Sequence, residues 1–163
     1  MDFGFIRVAA AVPRVKVADV DANVEEMCKL VEQAENEDVS IIAFPELSVT
    51  GYTCGDLFGQ ELLIRKAEEG IKKLKAFSRG KKVPIVAGVP VRVNASLYNC
   101  AAVISNGSLR GIVPKIHLPS YNEFYETRWF SSGSDFLYKA DTAMSPVYDD
   151  AKKQEIMSQC HFG

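Results

Sequence analysis

The sequence predicts an α/β layered fold built on a mixed sheet. Three observations carry that expectation: short apolar runs bounded by turn residues, two long stretches with helical spacing between them, and an Asn-Gly pair separating two later apolar runs. Phe5 to Val12 is apolar and β-compatible and reads as a buried strand. From about Asp19 to Ala34 the residues Val20, Val24, Met27, Val31 and Ala34 recur at steps of four and three, which lays one apolar stripe along a helix. Asp19, Asp21 and Asn23 supply capping oxygens, and Glu25 and Glu26 suit the positive N-terminal end of that helix.

An acidic turn, Glu35 to Asp38, leads into a strand over Ser40 to Phe44. Gly51, Gly55 and Gly59 punctuate the next loop. A second helix is expected over Gln60 to Arg79, with Leu63, Ala67, Ile71 and Leu74 facing inward. The cations Lys72, Lys73, Lys75, Arg79, Lys81 and Lys82 crowd its end. They read either as a phosphate site or as a solvated face whose charges complement the C-terminal dipole. Val83 to Val93 reads as a buried strand bent near Gly88-Val89-Pro90. Leu97 to Ile104 and Leu109 to Val113 flank Ser105-Asn106-Gly107-Ser108, a strong hairpin signal.

The pattern changes after about Ser131. Ser131-Ser132-Gly133-Ser134 reads as a loop, and Asp149 to Gln159 as a short polar helix. No strand that would close the sheet follows, so the expectation is an incomplete domain over residues 1–131 with a tail over 132–163.

With 163 residues, 47% hydrophobic and 25% charged, the chain has the composition of one soluble globular domain with a sizeable core. A net charge of −2 gives no footprint for nucleic acid or an anionic membrane. No apolar run approaches the roughly 20 residues that cross a bilayer. Four cysteines, Cys28, Cys54, Cys100 and Cys160, show no paired spacing, which fits a reducing cytoplasm. No His/Cys/Asp/Glu cluster has metal spacing, and there is no phosphate-binding glycine loop.

Two charged residues stand at strand ends. Glu46 follows Ile41-Ile42-Ala43-Phe44-Pro45, and Lys115 follows Ile112-Val113-Pro114. Glu46 reads either as a loop carboxylate accepting backbone hydrogen bonds or as a general base. Phe44, Pro45 and Leu47 around it favour a desolvated carboxylate. Lys115 reads either as a surface lysine or as a fixed ammonium that stabilises an oxyanion. Glu126 and Glu123 follow it in an aromatic segment, and either can orient the ammonium by a charge-assisted hydrogen bond. His117 has no cysteine or serine beside it and reads as structural.

Two long motifs then carry a resemblance. Phe44-Pro45-Glu46-Leu47-Ser48-Val49-Thr50-Gly51-Tyr52, with Pro114-Lys115 and Leu118-Pro119, resembles the nitrilase (carbon–nitrogen hydrolase) superfamily. The continuations Thr53-Cys54-Gly55-Asp56-Leu57-Phe58 and Ile116 to Phe130 are similar to the N-terminal glutaminase domain of glutamine-dependent NAD synthetases. The resemblance covers roughly residues 4 to 131.

It implies an α/β fold, the N-terminal part of a nitrilase-like αββα sandwich, and a Glu-Lys-Cys triad that splits the side-chain amide of glutamine. Carried onto this sequence, Glu46 is the base, Lys115 the oxyanion stabiliser and Glu126 the supporting carboxylate. Tyr121 is the aromatic beside the glutamine. The family's nucleophilic cysteine ends a further apolar strand and would fall past Gly163. Cys160, in a polar stretch, does not match it, and the resemblance therefore implies a fragment that is inactive alone. It implies no cofactor in this domain, since ATP and magnesium belong to a synthetase domain absent from this sequence. That synthetase domain and a homo-oligomer are the implied partners. A stand-alone amidase acting on another small amide, and a non-catalytic fragment acting by association, are the alternatives.

Overall fold

A computed structural model describes residues 4–134. In chain order it contains β1 (Val8–Ala10), α1 (Val20–Asn36), β2 (Ile41–Ala43), an irregular 3-10 segment (Tyr52–Gly59) and α2 (Glu61–Phe77). β3 (Ile85–Val93), β4 (Ser96–Ser105), β5 (Ser108–Pro114) and a 3-10 turn (Glu126–Arg128) follow. The tail beyond Ser134, with Cys160 and the helix expected over Asp149 to Gln159, lies outside the described residues.

The five strands form one sheet in sequence order. β1, β2 and β3 run parallel, and β3, β4 and β5 run antiparallel. Parallel neighbours need a crossover, which α1 and α2 supply. The antiparallel pairs need only turns. α1 begins one residue after Asp19, whose side chain accepts the Ala22 N–H at 3.1 Å, as the capping pattern predicts. Ser105 pairs with Ser108 across a two-residue turn in which Asn106 and Gly107 have φ of 46° and 74°. That is the Asn-Gly geometry whose twist matches the strands.

β1 and β2 are shorter than the apolar runs that contain them, three residues each. Among the described residues β1 is an edge strand paired with β2 alone, and Phe5 and Ile6 before it are 86% and 73% exposed. An apolar run becomes a strand only where a neighbour takes its hydrogen bonds.

The core lies between the helices and one face of the sheet. Met27 and Val31 of α1, Ile64, Ile71 and Leu74 of α2, and Ile85, Ala87 and Val89 of β3 are fully buried there. The other face carries Val8, Ala10, Ile41, Ala43 and Val113, all exposed, with Val86 and Val103 in register between them. Of the basic residues at the end of α2, Lys73 pairs with Asp21, and Lys81 pairs with Glu35 at 3.2 Å and lies over the Phe77 ring. Those contacts fit the solvated-face reading.

Candidate active site

Glu46 and Lys115 meet. β2 leaves the sheet at Pro45, and Glu46 stands in the turn that follows. Leu47 in this turn is buried with φ of 51°, a left-handed conformation that a branched residue holds only when its surroundings enforce it. Lys115 stands just past β5, where its N–H donates to Asn99 O at 2.8 Å and its carbonyl accepts Gly133 N–H at 2.8 Å. The Lys115 ammonium lies 2.9 Å from Glu46 Oε1 and 3.0 Å from Glu126 Oε1.

Glu126 is held from three sides. Its side chain is only 3% exposed. Tyr52 OH donates to Oε1 at 2.6 Å, beside the bond from Lys115. Its N–H donates to Pro119 O, and its carbonyl accepts from Phe130. Of the two glutamates offered by the sequence, Glu126 thus meets the lysine, and Glu123 is exposed.

The cluster sets two carboxylates against one ammonium. Burial works against the Lys115 charge, but the hydrogen bonds and charges of Glu46 and Glu126 outweigh it and raise its pKa. The lysine therefore remains a cation through neutral pH. The Tyr52 phenol is also pushed up, by burial first and then by Glu126. It donates to Glu126.

The expected apolar wrapping of Glu46 is corrected. Its side chain is 50% exposed, because its neighbours Phe44 and Leu47 turn into the core and leave the carboxylate at the rim. Beside it opens a cavity of about 250 Å³ walled by Glu46, Lys115, Pro114, Asn99, Gly88 and Val113. Asn99 is buried there, and its Nδ2 has no hydrogen-bond partner among the described residues. A second cavity, about 220 Å³, lies between the Tyr52 and Glu126 segments, with Phe124 and Trp129 in its wall. Tyr121 is 64% exposed and packs edge-on against Phe124. His117 is exposed.

The described cysteines are packed. Cys54 Sγ donates to Thr50 O at 3.2 Å, and burial raises its pKa. Cys28 is pushed to about 11 by burial and then by Glu32. Cys100 belongs to the hydrophobic core. Among the described residues no group of three His, Cys, Asp or Glu can hold a metal.

Nothing in the sequence marks Tyr52 as a partner of Glu126, because the two are 74 residues apart. Asn99 carries no signal either, since nothing in an apolar strand marks a lone amide as facing a cavity.

The carbon-nitrogen hydrolase family model matches residues 7–151. The chain belongs to that family. It is 34% identical over 132 residues to a glutamine-dependent NAD(+) synthetase of Mycobacterium leprae, covering 81% of this chain and 19% of that protein. The structure superimposes on a glutamine-dependent NAD(+) synthetase from Cytophaga hutchinsonii with a TM-score of 0.74 at 32% identity, covering 78% of this chain and 22% of the other. An amidase from Nesterenkonia sp. shares the fold at 17% identity, with a TM-score of 0.69 over 78% of this chain and 48% of the amidase. This carbon-nitrogen hydrolase chain therefore spans about a fifth of the length of the curated relatives it matches. The nitrilase-like α/β fold implied by the motifs is the observed one. No described helix is long and apolar enough to cross a membrane.

Proposed function

We propose that the Glu46–Lys115–Glu126 cluster hydrolyses the side-chain amide of glutamine and so supplies ammonia for ATP-dependent NAD synthesis. The observation that carries this reading is the Lys115 ammonium held at 2.9 Å from one carboxylate at a cavity rim and at 3.0 Å from another that is buried. A fixed cation beside a half-exposed carboxylate suits acyl transfer. The carboxylate takes a proton from the attacking group, and the cation meets the negative charge that develops on the amide oxygen.

In this mechanism a thiol passes its proton to Glu46 and attacks the glutamine Cδ as the thiolate. The tetrahedral oxyanion lies against Lys115. Glu46 returns the proton to the leaving nitrogen, and ammonia departs to leave a thioester. Glu46 then takes a proton from water, the water oxygen attacks the thioester, and glutamate and the thiol are released. Glu126, buried and tied to Tyr52, keeps Lys115 charged and in place throughout. Tyr121 lies on the segment that would border the substrate. We place the nucleophile outside Cys28, Cys54 and Cys100, which are packed against carbonyls or core. ATP and magnesium serve the synthetase part, which would also be the ammonia acceptor, and the functional protein is a homo-oligomer.

The test is ammonia release from glutamine by the product of the whole reading frame, with asparagine and acetamide as competitors. Saturable release favouring glutamine, coupled to NAD formation, is expected. Comparable turnover of acetamide without NAD formation would point to a stand-alone amidase. Residues 1–163 alone are expected to release no ammonia; saturable release lost in Glu46→Gln would show that one of their own cysteines serves.

A further inference from the structure

Gly88 lies near the middle of β3, on the sheet face away from the helices, paired with Ala101. Its backbone needs no glycine, since its φ is not among the positive ones. Its surroundings do. A Cβ at Gly88 would stand 2.3 Å from Leu47 N, 2.4 Å from Pro45 O and 2.7 Å from Glu46 C. All three are backbone atoms, so no rotamer change relieves the overlap.

The turn carrying Glu46 rests directly on this bare stretch of strand. Phe44 N–H makes the last regular bond to β3, to Val86 O at 2.9 Å. The next bond of that alternation would run from Glu46 N–H to Gly88 O, but Gly88 O accepts from Val49 instead. Ser48 then closes the gap: Gly88 N–H donates to Ser48 Oγ at 3.2 Å, and Val49 N–H donates to Gly88 O at 3.1 Å. The chain thus folds down over Gly88 and re-engages the same residue from the far side. Leu47 pays for this path with its left-handed φ, held by burial of its side chain.

We propose that Gly88 is a positioning residue for Glu46: its missing side chain lets the Pro45–Leu47 turn settle close enough to the sheet for the Glu46 carboxylate to reach Lys115. This deepens the amide-hydrolysis reading, but it is tested on the ion pair itself and needs no turnover.

The measurement is competitive acylation of residues 1–163 with limiting acetic anhydride, read lysine by lysine by mass spectrometry. Losing the Glu46 carboxylate leaves the Lys115 ammonium with Glu126 as its one charged partner and uncovers its outer side, so Glu46→Gln raises Lys115 labelling several-fold relative to the exposed Lys72. Gly88→Ala is expected to raise it to the same level, with no further rise in the double variant. General loosening would instead raise all lysines together. Unchanged Lys115 labelling in a folded Gly88→Ala chain overturns the proposal. So does an unchanged Glu46→Gln chain, since the pairing would then not exist. If Gly88→Ala fails to fold, Ser48→Ala, which cuts the side-chain tie to Gly88 N–H without adding bulk and leaves the Val49 bond, decides. A selective rise at Lys115 supports the proposal, and none overturns it.

Discussion

Lys115 is shared by two carboxylates in different surroundings, and this difference separates stability from chemistry. Glu46 is 50% exposed, so its pairing is worth about 0–1 kcal/mol. Glu126 is 3% exposed, and removing its cation leaves a buried carboxylate short of a partner, a loss of about 3–5 kcal/mol. Denaturant melts should therefore show Glu46→Gln close to wild type and Lys115→Met clearly destabilised; equal losses would contradict the assigned environments. Tyr52→Phe removes a 2.6 Å bond to a charged oxygen and should cost about 1.5–3 kcal/mol in the same melts. Glu46, Lys115 and Glu126 were legible in the sequence because charges at the ends of apolar runs are conspicuous and because two motifs resembled a family. The exposure of Glu46 was not. Sequence neighbours look like surroundings, yet Phe44 and Leu47 point into the core and away from the carboxylate.

The segment Tyr52–Gly59 clamps the turn Glu126–Arg128 at two points. One is the Tyr52–Glu126 bond. The other is Asp56, which accepts from Arg128 Nε at 2.9 Å and Nη2 at 3.2 Å and from Trp129 Nε1 at 3.0 Å. Phe58 packs between Trp129 and Phe130 behind them, with ring centroids 6.1 and 4.9 Å away. Arg128, and then the Trp129 bond, hold the Asp56 carboxyl at about 2, below the ordinary 3.8. A lowered carboxylate stabilises the fold above its unfolded pKa and loses that contribution as pH falls through the folded one. This clamp should thus be intact above about pH 4 and released towards pH 2. Trp129 is the chain's single tryptophan, so its fluorescence reports the release. Asp56→Asn should abolish that acid transition, and a transition unchanged in the variant would place its origin elsewhere. The helices and the hairpin were readable because capping, heptad-like spacing and Asn-Gly act locally. The clamp was not, because Asp56 and Arg128 are 72 residues apart and only the fold brings them together.

Across the described molecule, both helices cover one face of the sheet and the opposite face is left apolar and exposed at Val8, Ala10, Ile41, Ala43 and Val113. Surfaces of that kind associate. Residues 1–163 are expected to elute as oligomers whose size grows with concentration in size-exclusion chromatography with light scattering; a monomer with one sharp melt would contradict this. The N-terminal part of a sandwich, which the family resemblance implies, leaves one sheet face uncovered, whereas which face stays bare follows from register and could not be read from composition. The central claim is that Glu46 and Lys115 act as one unit on a carbon–nitrogen bond. Groups that act together are non-additive when removed. The most direct measurement is kcat for ammonia release from glutamine by the product of the whole reading frame, for Glu46→Gln, Lys115→Met and the double variant. The account predicts that each single change lowers kcat by about 10²-fold or more and that the double variant is no worse than the poorer single. Near-wild-type kcat in either single variant, or losses that simply multiply, would contradict it.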